Sequence, residues 1–203
     1  AVDLELFVEK SWKWLLLFNV VLILALIPFG WGDTTTGNKN WISIPGTPLN
    51  IQPAEVAKLT FILLLAWQCA RLQKKGISRP TSVFQLVAHT GLMGGLIAVV
   101  SGDMGMTLVY LFLFVMLAWT SGVQLRWFAL GAAVCAGGVA VIWPHISDKS
   151  FARRITVVID HILGNQATLA EQTQGQGWQQ TRSILAIGSG GLTGQGYLQG
   201  IQT

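Results

Sequence analysis

Glu55 and Lys58 stand three residues apart inside an otherwise apolar run. In a helix that spacing puts both on one face, where opposite charges pair. Ionisable groups inside a membrane span are costly and are functional suspects by default. Between Lys58 and the next basic residue, Arg71, lie only uncharged residues, about 18 Å of helix at 1.5 Å per residue. A crossing helix must therefore start near Pro53, with Glu55 and Lys58 in its outer part. Pro53 suits a first helical position, and Glu55 suits the N-terminal dipole. Two readings stay open: a self-paired cap with a snorkelling lysine, or a charged wall on an outward-facing cavity. Asp103, flanked by Gly102 and Gly105, either caps a helix beginning at Met104 or faces the same side as Glu55. Arg153 and Arg154 suit lipid headgroups, or a pyrophosphate held by bidentate guanidinium contacts. Arg182 is a third such donor. His89 falls mid-run and reads as a hydrogen-bond partner between helices. No second His or Cys stands at metal-ligand spacing, so no transition-metal site is expected.

The elements that position these residues follow from composition. Of the 203 residues, 52% are hydrophobic and only 11% charged, against about 25% charged in a soluble domain. Mean hydropathy is +0.54. Five apolar runs approach the roughly 20 residues that cross a bilayer: about Trp14 to Phe29, Pro53 to Ala70, Val83 to Val100, Met104 to Val123 and Trp127 to Trp143. Several of the nine Trp lie near the ends of these runs, as interfacial anchors do. Lys10, Lys13, Arg71, Lys74, Lys75, Arg79 and Arg126 all fall on one side of the membrane, which the positive-inside rule makes cytoplasmic. The residues after Trp143 then lie outside. The net charge of +4 thus sets topology, and no basic-aromatic stripe or other motif points to nucleic acid. Cys69 and Cys135 read as small buried residues. The chain opens at Ala1 in a polar stretch without Met, so a missing natural N-terminus is expected. In the outer tail, Phe151, Ile155, Val158, Ile159 and Ile162 recur at helical spacing. They suggest an amphipathic helix over about 151–163. Asn165 to Gln180 reads as loop. Ser183 to Leu192 is too short to span, and the glycines from Gly188 to Gly200 permit turns and close backbone approach.

These motifs combine into a resemblance. Asn40-Trp41-Ile42 followed by Ile51-Gln52-Pro53-Ala54-Glu55-Val56-Ala57-Lys58-Leu59 resembles a signature of the SEDS family, the RodA/FtsW/SpoVE proteins. Ala54 stands where the family usually has Ser. Asp103-Met104-Gly105 resembles the family's Pro-Asp-Leu-Gly-Thr, with Gly102, Met104 and Met106 departing from it. Arg154-Ile155 resembles the family's Arg before the outer amphipathic helix. Gly177-Trp178-Gln179 through Ser183, then Ala186 to Gly196, is very similar to the family's most distinctive run, with Arg182 where Gln is common. The resemblance covers essentially the whole chain.

It implies an all-α polytopic membrane bundle. Five spans (1–143) would form part of a ten-span fold, followed by a long extracytoplasmic loop (144–203). It implies a multi-pass protein of the bacterial plasma membrane that polymerises lipid II, during elongation, division or sporulation. In that reaction a sugar hydroxyl attacks an anomeric carbon and undecaprenyl pyrophosphate leaves. Such chemistry needs a base for the hydroxyl and positive charge for the leaving group. The family's proposed acid-base Asp lies in a segment after the position of Thr203, so the catalytic residue is not assigned here. Glu55, Lys58, Asp103, Arg153, Arg154, Arg182, Ser183, Gly190 and Gly191 are the candidate substrate-binding residues. Lys58, Arg154 and Arg182 are the candidates for leaving-group charge. No cofactor is evident, and assistance by a divalent cation stays open. The implied partners are lipid II, membrane lipid and a class B penicillin-binding protein. A flippase for the same lipid and a non-catalytic scaffold are the competing readings. Having every candidate polar group on the outer side argues against the first, and the charged pair and glycine-rich loop argue against the second.

Overall fold

A computed structural model describes residues 4–32, 38–146, 158–159, 163, 178–197 and 199–200. The chain forms two compact units, Ala1–Ala136 and Gly137–Thr203. The first is an antiparallel helical bundle. Helix α1 (Leu4–Leu24) is followed at once by one turn, α2 (Leu26–Phe29). Pro28 explains the break between them: it has no N–H for the Leu24 carbonyl, and its ring crowds that carbonyl. The expected span from Trp14 to Phe29 is therefore neither continuous nor confined to those residues.

A short antiparallel hairpin follows, β1 (Ile42–Ser43) on β2 (Asn50–Ile51), with Trp31 bridged to Trp41 ahead of it. The stretch joins the first two apolar runs read from sequence. Helices α3 (Pro53–Gln73) and α4 (Pro80–Leu96) both open on proline, as the first helical position favours. A π-helical turn, Ile97–Ser101, ends the α4 column, and Gly102 terminates it at φ +72°. Helix α5 (Met104–Thr120) stops three residues before the expected Val123, because Gly122 turns the chain at φ +90°. Helix α6 runs Leu125–Ile146.

Among the described residues, three helical columns, Leu4–Phe29, Pro53–Gln73 and Pro80–Ser101, are long and apolar enough to cross a membrane. The five apolar runs read from sequence thus fall on helices of unequal length. The apolar helices Met104–Thr120 and Leu125–Val141 are shorter. Seventeen residues in α5 rise about 26 Å, less than the roughly 30 Å hydrocarbon core. The helical membrane class itself stands.

Helix α3 is central. It carries Ala57, Phe61, Leu65, Cys69 and Leu72 into a core completed by Ile23, Leu86, Met93, Ile97 and Tyr110. Of the three spanning columns it is the most buried and the least apolar. That is the order expected where lipid, not water, surrounds the bundle. Its polar groups turn inward to partners: Thr60 Oγ1 donates to Asn19 Oδ1, and Gln68 Oε1 meets His89 Nδ1 at 3.1 Å. His89 is thus the interhelical partner that its position suggested. Cys69 is buried as expected, whereas Cys135 is exposed on an apolar helix.

In the second unit, α7 (Trp178–Gly190) begins inside the expected loop and continues through Gly188. Positive φ starts only at Gly191, Gly194 and Gly196. Of the expected amphipathic helix, Val158, Ile159 and Leu163 are helical and exposed. The rest of it lies outside the described residues.

Phe61 is fully buried between the rings of His89 and Tyr110. Lipid is as apolar as the core, so removing this ring costs mainly lost packing and a cavity. Phe61→Ala is expected to destabilise the bundle by about 2 kcal/mol or more. Leu59→Ala, on a side chain that is 64% exposed, should change little. Melting temperatures in detergent would check the contrast.

Candidate functional site

The bundle's two ends differ in chemistry. At the end where α3 and α5 begin, one carboxylate gathers three chain segments. Asp103 precedes α5, and its Oδ1 accepts the Met106 N–H at 2.9 Å, which makes it the N-cap. Its Oδ2 accepts Asn40 Nδ2 at 3.1 Å and Gln52 Nε2 at 3.4 Å. Asn40 in turn accepts Ser101 Oγ at 2.5 Å, and Lys39 N–H donates to the Ser101 carbonyl at 3.1 Å. The close fit needs Gly102: a Cβ there would stand 2.7 Å from Asn38 Oδ1, at a positive φ that side chains disfavour. The loop before the hairpin, the start of α3 and the start of α5 are thus tied to one point.

Glu55 lies three residues past Gln52, roughly 4.5 Å along the helix axis. Lys58 Nζ meets Glu55 Oε2 at 2.5 Å. The lysine side chain is 23% exposed and the glutamate 48%, so the pair faces outward from the bundle. The Tyr110 hydroxyl donates to the Ala54 carbonyl at 2.8 Å and pins the first turn of α3 against α5. The pair therefore rides on a backbone held from two sides. Chemically it offers a partly exposed ammonium whose position is set by a neighbouring carboxylate.

The family model that matches this chain, a cell cycle protein model for FtsW, RodA and SpoVE, covers residues 1–203. The chain belongs to that family. It is 30% identical to a probable peptidoglycan glycosyltransferase FtsW of Thiomicrospira cyclica, over 96% of this chain and 47% of the relative. It is 28% identical to a protein of the same description from Haemophilus influenzae, over 99% of this chain and 48% of the relative. Among solved structures, a chain from work on the coordination of polymerization and crosslinking by a peptidoglycan synthase complex superposes with a TM-score of 0.67. That match has 26% identity and covers 90% of this chain and 50% of that one. The chain spans about half the length of the curated relatives it matches.

Of the candidate residues, Glu55 and Lys58 form an ion pair, and Asp103 lies beside their helix start. Arg182 and Ser183 lie on α7, with the Arg182 guanidinium 5.1 Å from the Trp178 ring centre. Gly190 ends that helix, and Gly191 follows at φ +55°. Arg153 and Arg154 lie outside the described residues. Sequence reading assigned no role to Asn40, Gln52, Ser101 and Tyr110. Their partners are 51 to 63 residues away along the chain. Asn40 and Gln52 entered only as letters of the family signature, and Gln52 also stands just before a helix-opening proline.

Asp103→Ala removes the cap and strands two amide donors. It is expected to destabilise by about 1–2 kcal/mol. Asp103→Asn keeps the capping oxygen but sets its own NH2 against the Asn40 and Gln52 donors, so it should be destabilised to a similar extent. Detergent melts of both variants would decide.

Proposed function

We propose that the full-length protein carrying this chain is a peptidoglycan glycosyltransferase that polymerises lipid II at the outer membrane face. Family membership along all 203 residues supports the reaction class. The observation that carries the site is the exposed Lys58–Glu55 pair beside the Asp103 cluster. The positive-inside rule supports the orientation. Lys10, Arg71, Lys74, Lys75, Arg79 and Arg126 lie at the opposite end from that pair.

In this reading Lys58 supplies positive charge as the undecaprenyl pyrophosphate departs. Glu55 holds the ammonium in place and keeps its charge from immobilising the product. Arg153, Arg154 and Arg182 are further donors for the two phosphates, since a guanidinium binds such oxygens in bidentate fashion. Ser183, Gly190 and Gly191 offer a hydroxyl and open backbone to the sugar. Asp103, with its carboxylate engaged by three N–H donors, positions the start of α3 and with it the pair. A class B penicillin-binding protein is the proposed partner, and the structural relative from a peptidoglycan synthase complex supports that choice.

The test uses the full-length protein, purified with its transpeptidase partner and given labelled lipid II. Glycan chains are expected from the parent. Lys58→Ala should lower turnover about a hundredfold, in the range for losing one preorganised transition-state donor, without a matching fall in melting temperature. Unchanged turnover would remove Lys58 from the site. Lipid II crossing a vesicle bilayer with no polymer formed would make the protein a transporter.

A further inference from the structure

A cavity of about 670 Å³ opens between α1, α3 and α4 at the end opposite the Glu55–Lys58 pair. We propose that it binds one anionic phospholipid, with the phosphate at Arg71, Lys75 and Arg79 and an acyl chain in the slot behind them. The site is separate from the one proposed for catalysis and borrows nothing from it.

Four observations support this occupant. First, the rim is cationic: Arg71, Lys75 and Arg79 line the cavity and no carboxylate does. Glu5 and Glu9 face Arg71 and Lys74 across an adjoining cavity of about 320 Å³, which leaves Lys75 and Arg79 as the better-placed pair for a phosphate. Second, α4 begins at the rim. Thr81 and Ser82, in its first turn, line the cavity, and the Arg79 side chain makes no capping bond. Open N–H groups at a helix start add to the pull on an anion.

Third, the lining grades from charge to hydrocarbon. Behind the rim come Gln85, Gln68 and His89, whose Nε2 has no hydrogen-bond partner among the described residues. Leu64, Leu92 and Leu16 close the far end. From Lys75 to Leu64 the slot follows α3 for roughly 16 Å, a depth that suits an acyl chain and not a free phosphate. Fourth, the mouth has interfacial anchors. The Trp12 and Trp67 rings stack at 5.9 Å, with Arg71 over Trp67 and Lys13 over Trp12. Such rings settle at headgroup level, and basic pockets between spans on the cytoplasmic side recognise acidic headgroups.

The full-length protein in nonionic detergent would be incubated with phosphatidylglycerol or phosphatidylcholine, and bound lipid counted by native mass spectrometry. Phosphatidylglycerol should be retained in preference. The triple variant Arg71→Gln, Lys75→Gln, Arg79→Gln should bind it about a hundredfold more weakly, given a factor of about five for each basic residue at an anionic surface. Ala88→Trp fills the slot with the charge untouched and should also abolish retention. A double variant, Lys10→Gln with Arg126→Gln, removes charge outside the cavity and should bind as the parent does. Equal retention of the two lipids would overturn the proposal. So would undiminished binding by either the triple or the slot-filling variant. None of these readings depends on glycan synthesis.

Discussion

The Asp103 carboxylate is the joint on which the arrangement turns. One oxygen caps α5, and the other accepts amides from the loop before the hairpin and from the residue that opens α3. A carboxylate in low dielectric is stable only with its lone pairs engaged, and engaged it binds more strongly than a neutral acceptor. Here the donors come from three separate stretches, so meeting the carboxylate's needs also brings those stretches together. The π-turn at Ile97–Ser101 and the left-handed Gly102 belong to the same joint, since they deliver the Ser101 hydroxyl and carbonyl to Asn40 and Lys39.

The bundle is fastened at both ends and packed in between. At the basic end, Gln73 Nε2 donates to the Ser121 carbonyl at 2.8 Å, and Trp127 Nε1 donates to the Ser78 carbonyl at 2.9 Å. Between the two ends the contacts are mostly apolar, with few polar crossings. Lipid gives little drive to bury Leu or Phe, so shape and these few hydrogen bonds must specify the packing. The central helix illustrates this: it is the one with polar groups to hide, and its outward residues, such as Leu59 and Val56, are apolar and exposed.

What the sequence revealed depended on distance along the chain. The Glu55–Lys58 pair, the proline starts of α3 and α4, and the cap before Met104 are all local, and each followed from spacing and residue chemistry. The convergence of Asn40, Gln52 and Ser101 on one aspartate is tertiary, and no window of neighbouring residues contains it. The short α5 was hidden because Ser121, Gly122 and Val123 do not interrupt apolarity, while the positive φ of Gly122 ends the helix. The break after Leu24 was more legible, since Pro28 stands four residues beyond it. An all-apolar run masks such a proline when hydropathy alone is read.

That break has a mechanical consequence. The Leu24 carbonyl lacks its usual donor, so bending there strains one hydrogen bond fewer than bending elsewhere in α1. The single turn Leu26–Phe29 leads from that point to the Trp31–Trp41 bridge, with Leu26 itself buried. The column whose partners are fastened at Asp103 thus carries, near its end, a point where the backbone bends at the least cost in hydrogen bonds.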